Sequence, residues 1–209
     1  MKRHAVLVLA ITVGLFSPAP LVAANLDGFD ILGIQLAMSP DEVETRARAK
    51  GFDDIVTGTG PSFEQLVAMQ SRERVLSQGF VSVRFMKFGN DREIVEVFFV
   101  QTPAGSQVSQ VAYRFVGSGV NLDQMTDQVL EKYGQPDLQR GDQWMWGDTA
   151  EYVQQRKEPY LEFDRAPMRI FGRQPLGNLT LGDPSLKATA DDAVAQAASE
   201  RTGGELPQF

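Results

Sequence analysis

The chain of 209 residues carries 20 basic residues against 27 acidic ones, a net charge of −7, no cysteine and a single histidine, His4. An acidic surface repels phosphate backbones and offers anionic lipid no general attraction, which argues against nucleic-acid binding and charge-driven adsorption to membranes. Downstream of His4 neither His nor Cys occurs, so Ser-His-Asp and Cys-His nucleophiles, thiol redox chemistry and the usual zinc ligands are excluded there.

The first residues read as an export signal. Lys2, Arg3 and His4 precede an apolar run from Ala5 to Phe16, the breaker Ser17-Pro18-Ala19-Pro20 follows, and Val22-Ala23-Ala24 supplies the small residues of a cleavage site. Cleavage after Ala24 is expected, because the run falls short of the roughly 20 residues that span a bilayer. The expectation is a periplasmic protein that does not span the membrane. Without cysteine it carries neither a lipid anchor on a thioether nor a disulfide, and it must rely on its apolar core.

Helix starts come next. Ser39-Pro40-Asp41-Glu42 places Ser at the N-cap, Pro at the first helical position and Glu at the third, and Gly51 supplies the left-handed stop. Ser62-Phe63-Glu64-Gln65 opens a second helix, read as running through Leu66, Met69 and Leu76 to Gly79. A third follows Asn121, with Leu122, Met125, Val129 and Tyr133 at helical spacing and Gly134 and Pro136 closing it.

Between these helices the period changes to two. Val81, Val83 and Phe85 alternate with Ser82, Arg84 and Met86; Glu93 to Gln101 and Gln107 to Val116 follow, joined by short turns. Together they predict an antiparallel meander in which Val111, Tyr113 and Phe115 share a face. Weaker strands are read at Gln143 to Trp146, Tyr160 to Asp164 and Leu179 to Leu181. The fold expected is α+β: one antiparallel sheet, helices on one face, and two helix-plus-three-strand halves over about 25–117 and 118–186. Residues 187–209, rich in alanine and polar residues, are expected as a loosely held tail.

One pattern occurs twice. Gly33-Ile34-Gln35-Leu36, then Asp41-Glu42-Val43 and Gly51-Phe52, is matched by Gly119-Val120-Asn121-Leu122, then Asp127-Gln128-Val129 and Tyr133-Gly134-Gln135-Pro136. This ordering resembles the small exported modules of the SmpA/BamE type, in a doubled arrangement similar to that of the beta-lactamase inhibitory protein. The resemblance covers the two helical segments directly and the strands only by order. It implies a binding scaffold rather than an enzyme. The chain lacks the lipidated cysteine of the SmpA/BamE proteins, and no functional residue carries over.

Two segments could bind a partner. Trp144 and Trp146 share one face of a strand, as an aromatic platform on an open sheet or as core packing beneath helices. Arg165, Arg169, Phe171 and Arg173 form a basic, apolar loop, suited either to clasping a carboxylate-bearing or anionic partner or to pairing with the protein's own acids. Glu162 and Asp164 also share a strand face. They would serve glycoside hydrolysis, but alternation with Leu161 and Phe163 explains them as a solvent side. The function expected is an exported, non-catalytic interaction module of the cell envelope that needs no cofactor or metal and binds an envelope protein. A carboxylate-based hydrolase and a small-ligand carrier with a cavity between sheet and helices are the alternatives.

Overall fold

The computed structural model describes residues 26, 28–73, 79–90, 92–116, 121–165 and 175–203. In chain order these form α1 (Pro40–Ala49), β1 (Val56–Gly60), α2 (Phe63–Gln70), β2 (Ser82–Gly89), β3 (Glu93–Thr102), β4 (Gly105–Val116), α3 (Leu122–Tyr133), β5 (Leu138–Arg140), β6 (Gln143–Gly147), a 3-10 turn (Val153–Gln155), β7 (Tyr160–Asp164), β8 (Pro175–Gly182) and α4 (Pro184–Arg201). All eight strands join one antiparallel sheet in the order β1-β2-β3-β4-β8-β7-β6-β5, an α+β fold. Strands β1–β4 and β5–β8 are each contiguous and meet at the β4–β8 seam.

The helix starts follow the local chemistry. Ser39 and Ser62 each cap with a reciprocal bond from Glu42 or Gln65, and Asn121 accepts from the N–H groups of Asp123 and Gln124. Gly51 and Gly134 take positive φ at the stops. Helix α2 ends at Gln70, well before Gly79, and Leu76 lies outside the described residues.

Two apolar rows cross the sheet on one face. Met86, Val97, Val111, Leu181, Leu161 and Trp146 pair in one; Phe88, Val95, Tyr113, Leu179, Phe163 and Trp144 pair in the next. Val43 and Ala47 of α1 and Met125 and Val129 of α3 close over these rows as one core. Gly177 lets α3 sit close, since a Cβ there would come within 3.2 Å of Met125 Sδ.

Three expectations are corrected. Each chain half contributes four strands rather than three, because β1 (Val-Thr-Gly-Thr-Gly) and the three-residue β5 offer almost no apolar alternation to read. The alternation read for β2 holds only in part. Val83 packs against the core, but beyond it Met86 and Phe88 are buried while Phe85 is 37% exposed, and Val81, just before the strand, is 71% exposed. A bulge against β1 at Arg84, between the pairs Phe85↔Gly58 and Val83↔Thr59, interrupts the alternation.

The expected tail is an 18-residue helix, α4. Asp183 caps it through the N–H groups of Ser185 and Leu186, and Pro184 sits in the first turn. Ala190, Val194 and Ala198 are buried, the latter two against Val67 of α2. Arg201 pairs with Glu64 and Glu73. Small side chains let the two helices approach closely, so little bulky apolar surface is needed to dock α4. Among the described residues no helix is long and apolar enough to cross a membrane.

Candidate functional site

Alternation puts the apolar rows on one side of the sheet and an intervening row on the other. That second row spans all eight strands: Val56, Lys87, Glu96, Ala112, Thr180, Glu162, Met145 and Leu138 are successive cross-strand partners. Its two ends differ in what lies over them.

Both tryptophans project to the helix-bearing side. Trp146 is 1% exposed, donates from Nε1 to the Gly134 carbonyl at 3.3 Å and meets the Tyr133 ring at 6.2 Å. Trp144 packs edge-on to Phe163, with the Arg165 guanidinium 5.6 Å from its ring centre. Neither indole forms a platform on the open face, because α3 and its C-terminal glycine turn cover that end of the apolar rows. Arg165 reaches Asp123 of α3 at 3.4 Å, and its backbone N–H bonds to the Asp142 carbonyl. It ties β7 to α3. Arg169, Phe171 and Arg173 lie outside the described residues, so of the expected binding residues the structure brings together only Trp144, Trp146 and Arg165.

Over β6 and β7 the second face is covered by the β6–β7 connection, a strap over residues 148–158. Arg156 on this strap is buried, its side chain 1% exposed, and it pairs with Glu162 at 2.7 Å. Its Nε donates to the Ala150 carbonyl, and its guanidinium stacks 4.2 Å from the centre of the Tyr160 ring. Glu162 therefore points to the sheet's polar side, as its alternation predicts, but beneath the strap and bound to a guanidinium.

Asp148 fastens the strap. Its carboxylate accepts from the N–H groups of Ala150 (3.0 Å), Lys157 (2.7 Å) and Glu158 (3.1 Å). Burial works against its ionised form, but these three bonds and the Arg156 charge outweigh that and hold the carboxyl below its usual range. Since the folded-state value is lowered, the contribution is complete above pH about 4 and is lost as acid protonates the group through that lowered value. Asp148→Asn should lower stability by about 1 kcal/mol at pH 7, below the roughly 1.5–3 kcal/mol usual for bonds to a charge because solvent screens this group. In urea titrations the gap to the parent protein should close below pH 4; a gap that ignores pH would reject the charged acceptor.

Over β1–β3 the second face carries exposed apolar side chains, although α4 packs against β3 and β4 nearby. Phe85 and Phe98 face one another across β2 and β3, 37% and 39% exposed, beside Val56 at 62%. The Phe85 ring occupies the space over Gly58, where a Cβ would come within 1.9 Å of it. One pair further along, Glu96 takes Arg114 at 2.6 Å and Lys87 at 3.6 Å. An aromatic pair with a charged rim is the composition found at contact hot spots.

Phe85 and Phe98 were not singled out from the sequence. Both stand in runs where apolar residues occupy both alternations, and only the bulge and the register reveal which ring is left outside. Arg156 and Asp148 carried no local signal, since their partners are contacts made across a loop. Comparison of the chain with protein-family models, with curated proteins and with solved structures finds no match.

Proposed function

We propose that this chain is an exported, non-catalytic interaction module of the cell envelope that docks a protein partner on the exposed Phe85–Phe98 patch over β2 and β3. The observation that carries the reading is the exposed Phe85–Phe98 pair with its Lys87–Glu96–Arg114 rim. That trio holds one more positive than negative charge on a chain of net −7, which favours an acidic patch on the partner. The export-like first 24 residues and the lack of His and Cys beyond His4 support the compartment and the absence of nucleophilic chemistry. The mirrored strand order about the β4–β8 seam supports two helix-plus-sheet halves.

The test is capture from envelope extracts with full-length protein, Phe85→Ser/Phe98→Ser, and Met69→Ser as an exposed control on α2. The expected result is a partner held by the parent and by Met69→Ser but reduced at least about tenfold by the double variant, the effect of losing roughly 1.4 kcal/mol. A partner held equally by all three proteins would place docking elsewhere, and enrichment of none would remove the reading.

A further inference from the structure

On the opposite, helix-bearing side, α1 and α3 do not close completely over β3 and β4. A trough runs beside α3, floored by Tyr113, Phe115 and Met125 with Gln128 on its rim. Toward the β2–β3 turn it widens to about 410 Å³ between Asn90, Arg92, Glu93, Asn121 and Gln124. Toward the 26–34 segment it narrows to about 240 Å³ between Ile31, Leu32, Val129, Tyr133 and Leu179. One end is polar, the other apolar. Helix positions 124 to 132 follow its length, about 12 Å at the α-helical rise.

At the polar end the Glu93 carboxylate and the side-chain oxygens of Asn90 and Asn121 are already engaged. The Glu93 carboxylate takes the Tyr113 hydroxyl and Asn90 Nδ2. Asn90 Oδ1 takes the N–H groups of Arg92 and Glu93, and Asn121 Oδ1 takes those of Asp123 and Gln124. Burial, followed by the Glu93 bond and charge, pushes the Tyr113 hydroxyl far up, so it remains a donor to Glu93. Left to meet a ligand there are the Asn121 amide N–H, the Gln124 and Gln128 carboxamides, which both donate and accept, and the Arg92 guanidinium. Among the described residues Arg92 is the one cation lining this end, and it makes no ion pair. Such an end suits an acceptor-rich, anionic group.

At the apolar end the backbone shows strain. Leu32 is held at φ +57°, a left-handed conformation that a leucine seldom adopts. The neighbouring bonds impose it: Ile31 and Ile34 exchange backbone hydrogen bonds, and Gly33 N–H donates to Asp30. The result is a half-buried leucine on the trough wall, opposite Lys132 and Tyr133, where an asparagine would suit the backbone better. Strain of this kind gathers at ligand clamps.

We infer that this trough binds a single-chain anionic amphiphile of medium length, its carboxylate or phosphate head at Arg92 and Asn121 and its tail along Phe115, Met125 and Leu32. The inference rests on the helix-bearing face and not on the Phe85–Phe98 patch, so either can fail alone. Decanoate, decyl phosphate and decanol serve as probes for the full chain, in calorimetry and thermal shift. Both anions should bind and raise the melting temperature, with decanol about tenfold weaker. Arg92→Gln should remove that tenfold preference and leave decanol unchanged. Leu32→Asn, which fits the left-handed backbone, should weaken all three probes alike. Preference for only one of the two anions would identify the head group. No binding of either anion, or anion binding that ignores both substitutions, would overturn the inference.

Discussion

Trp146→Ala is expected to destabilise the protein by about 4 kcal/mol, within the 3–5 kcal/mol range of large-to-small aromatic substitutions in a core. The indole is among the largest fully buried side chains, and it joins Leu161 in the apolar row to Tyr133 at the end of α3. Truncation opens a cavity under α3 and strips the Gly134 carbonyl of its Nε1 donor. For a domain of this size that corresponds to a fall in melting temperature of about 10 °C. Trp144 provides the contrast. Its Nε1 is buried without a partner among the described residues. Trp144→Phe therefore removes an unsatisfied donor along with some volume and should cost about 1 kcal/mol less than Trp146→Phe. Equal losses in urea denaturation would mean that the Trp146–Gly134 bond contributes nothing. The same arithmetic bars Trp146→Ala as a binding knock-out, since a lost partner would report lost folding.

The helix starts were legible because capping is local. Ser39 with Glu42 and Ser62 with Gln65 form their boxes within four residues, and no tertiary contact overrides them. The β2–β4 meander was legible for a related reason: its turns are short, and in β4 Val111, Tyr113 and Phe115 do share a face. In β2 alternation stopped being a guide to burial where large apolar residues, Phe85 and Met86, stand on successive positions and a bulge precedes them. Helix α4 was missed because its packing side is alanine and valine, residues whose contribution comes from close approach rather than area.

The tryptophan segment shows a different limit. Trp144, Met145 and Trp146 are all buried, so β6 has no solvent side to reveal by alternation. One face lies beneath α3 and the other beneath the strap, and the strap's anchor at Arg156 is a non-local contact. The candidate patch at Phe85 and Phe98 was hidden likewise, since exposure of an aromatic depends on what fails to cover it. Charge and composition could narrow the chemistry. They could not say which apolar side chains of the sheet stay exposed.

Removing the acid of the strap's ion pair should do more damage than removing the base. Glu162→Leu is expected to cost about 3–4 kcal/mol, because the Arg156 side chain is 1% exposed and would be left charged without a carboxylate and without a route to water. Its Nη1 already lacks a partner among the described residues, so the guanidinium has little hydrogen bonding in reserve. Arg156→Met should cost less, about 2 kcal/mol, since Glu162 retains 17% exposure and can hydrate its charge. Methionine also fills the space beside Met145 and Tyr160, replacing the stack on the ring with an apolar contact. The double variant should return to within about 1 kcal/mol of the parent, because a buried ion pair is roughly neutral against a well-packed apolar pair of similar volume. Urea denaturation of the four proteins gives the coupling directly, and the expected value is about 4 kcal/mol in favour of keeping or losing both partners together. Additive losses would mean that Arg156 and Glu162 act separately, and that the strap is held over β6 and β7 by Asp148 rather than by the pair.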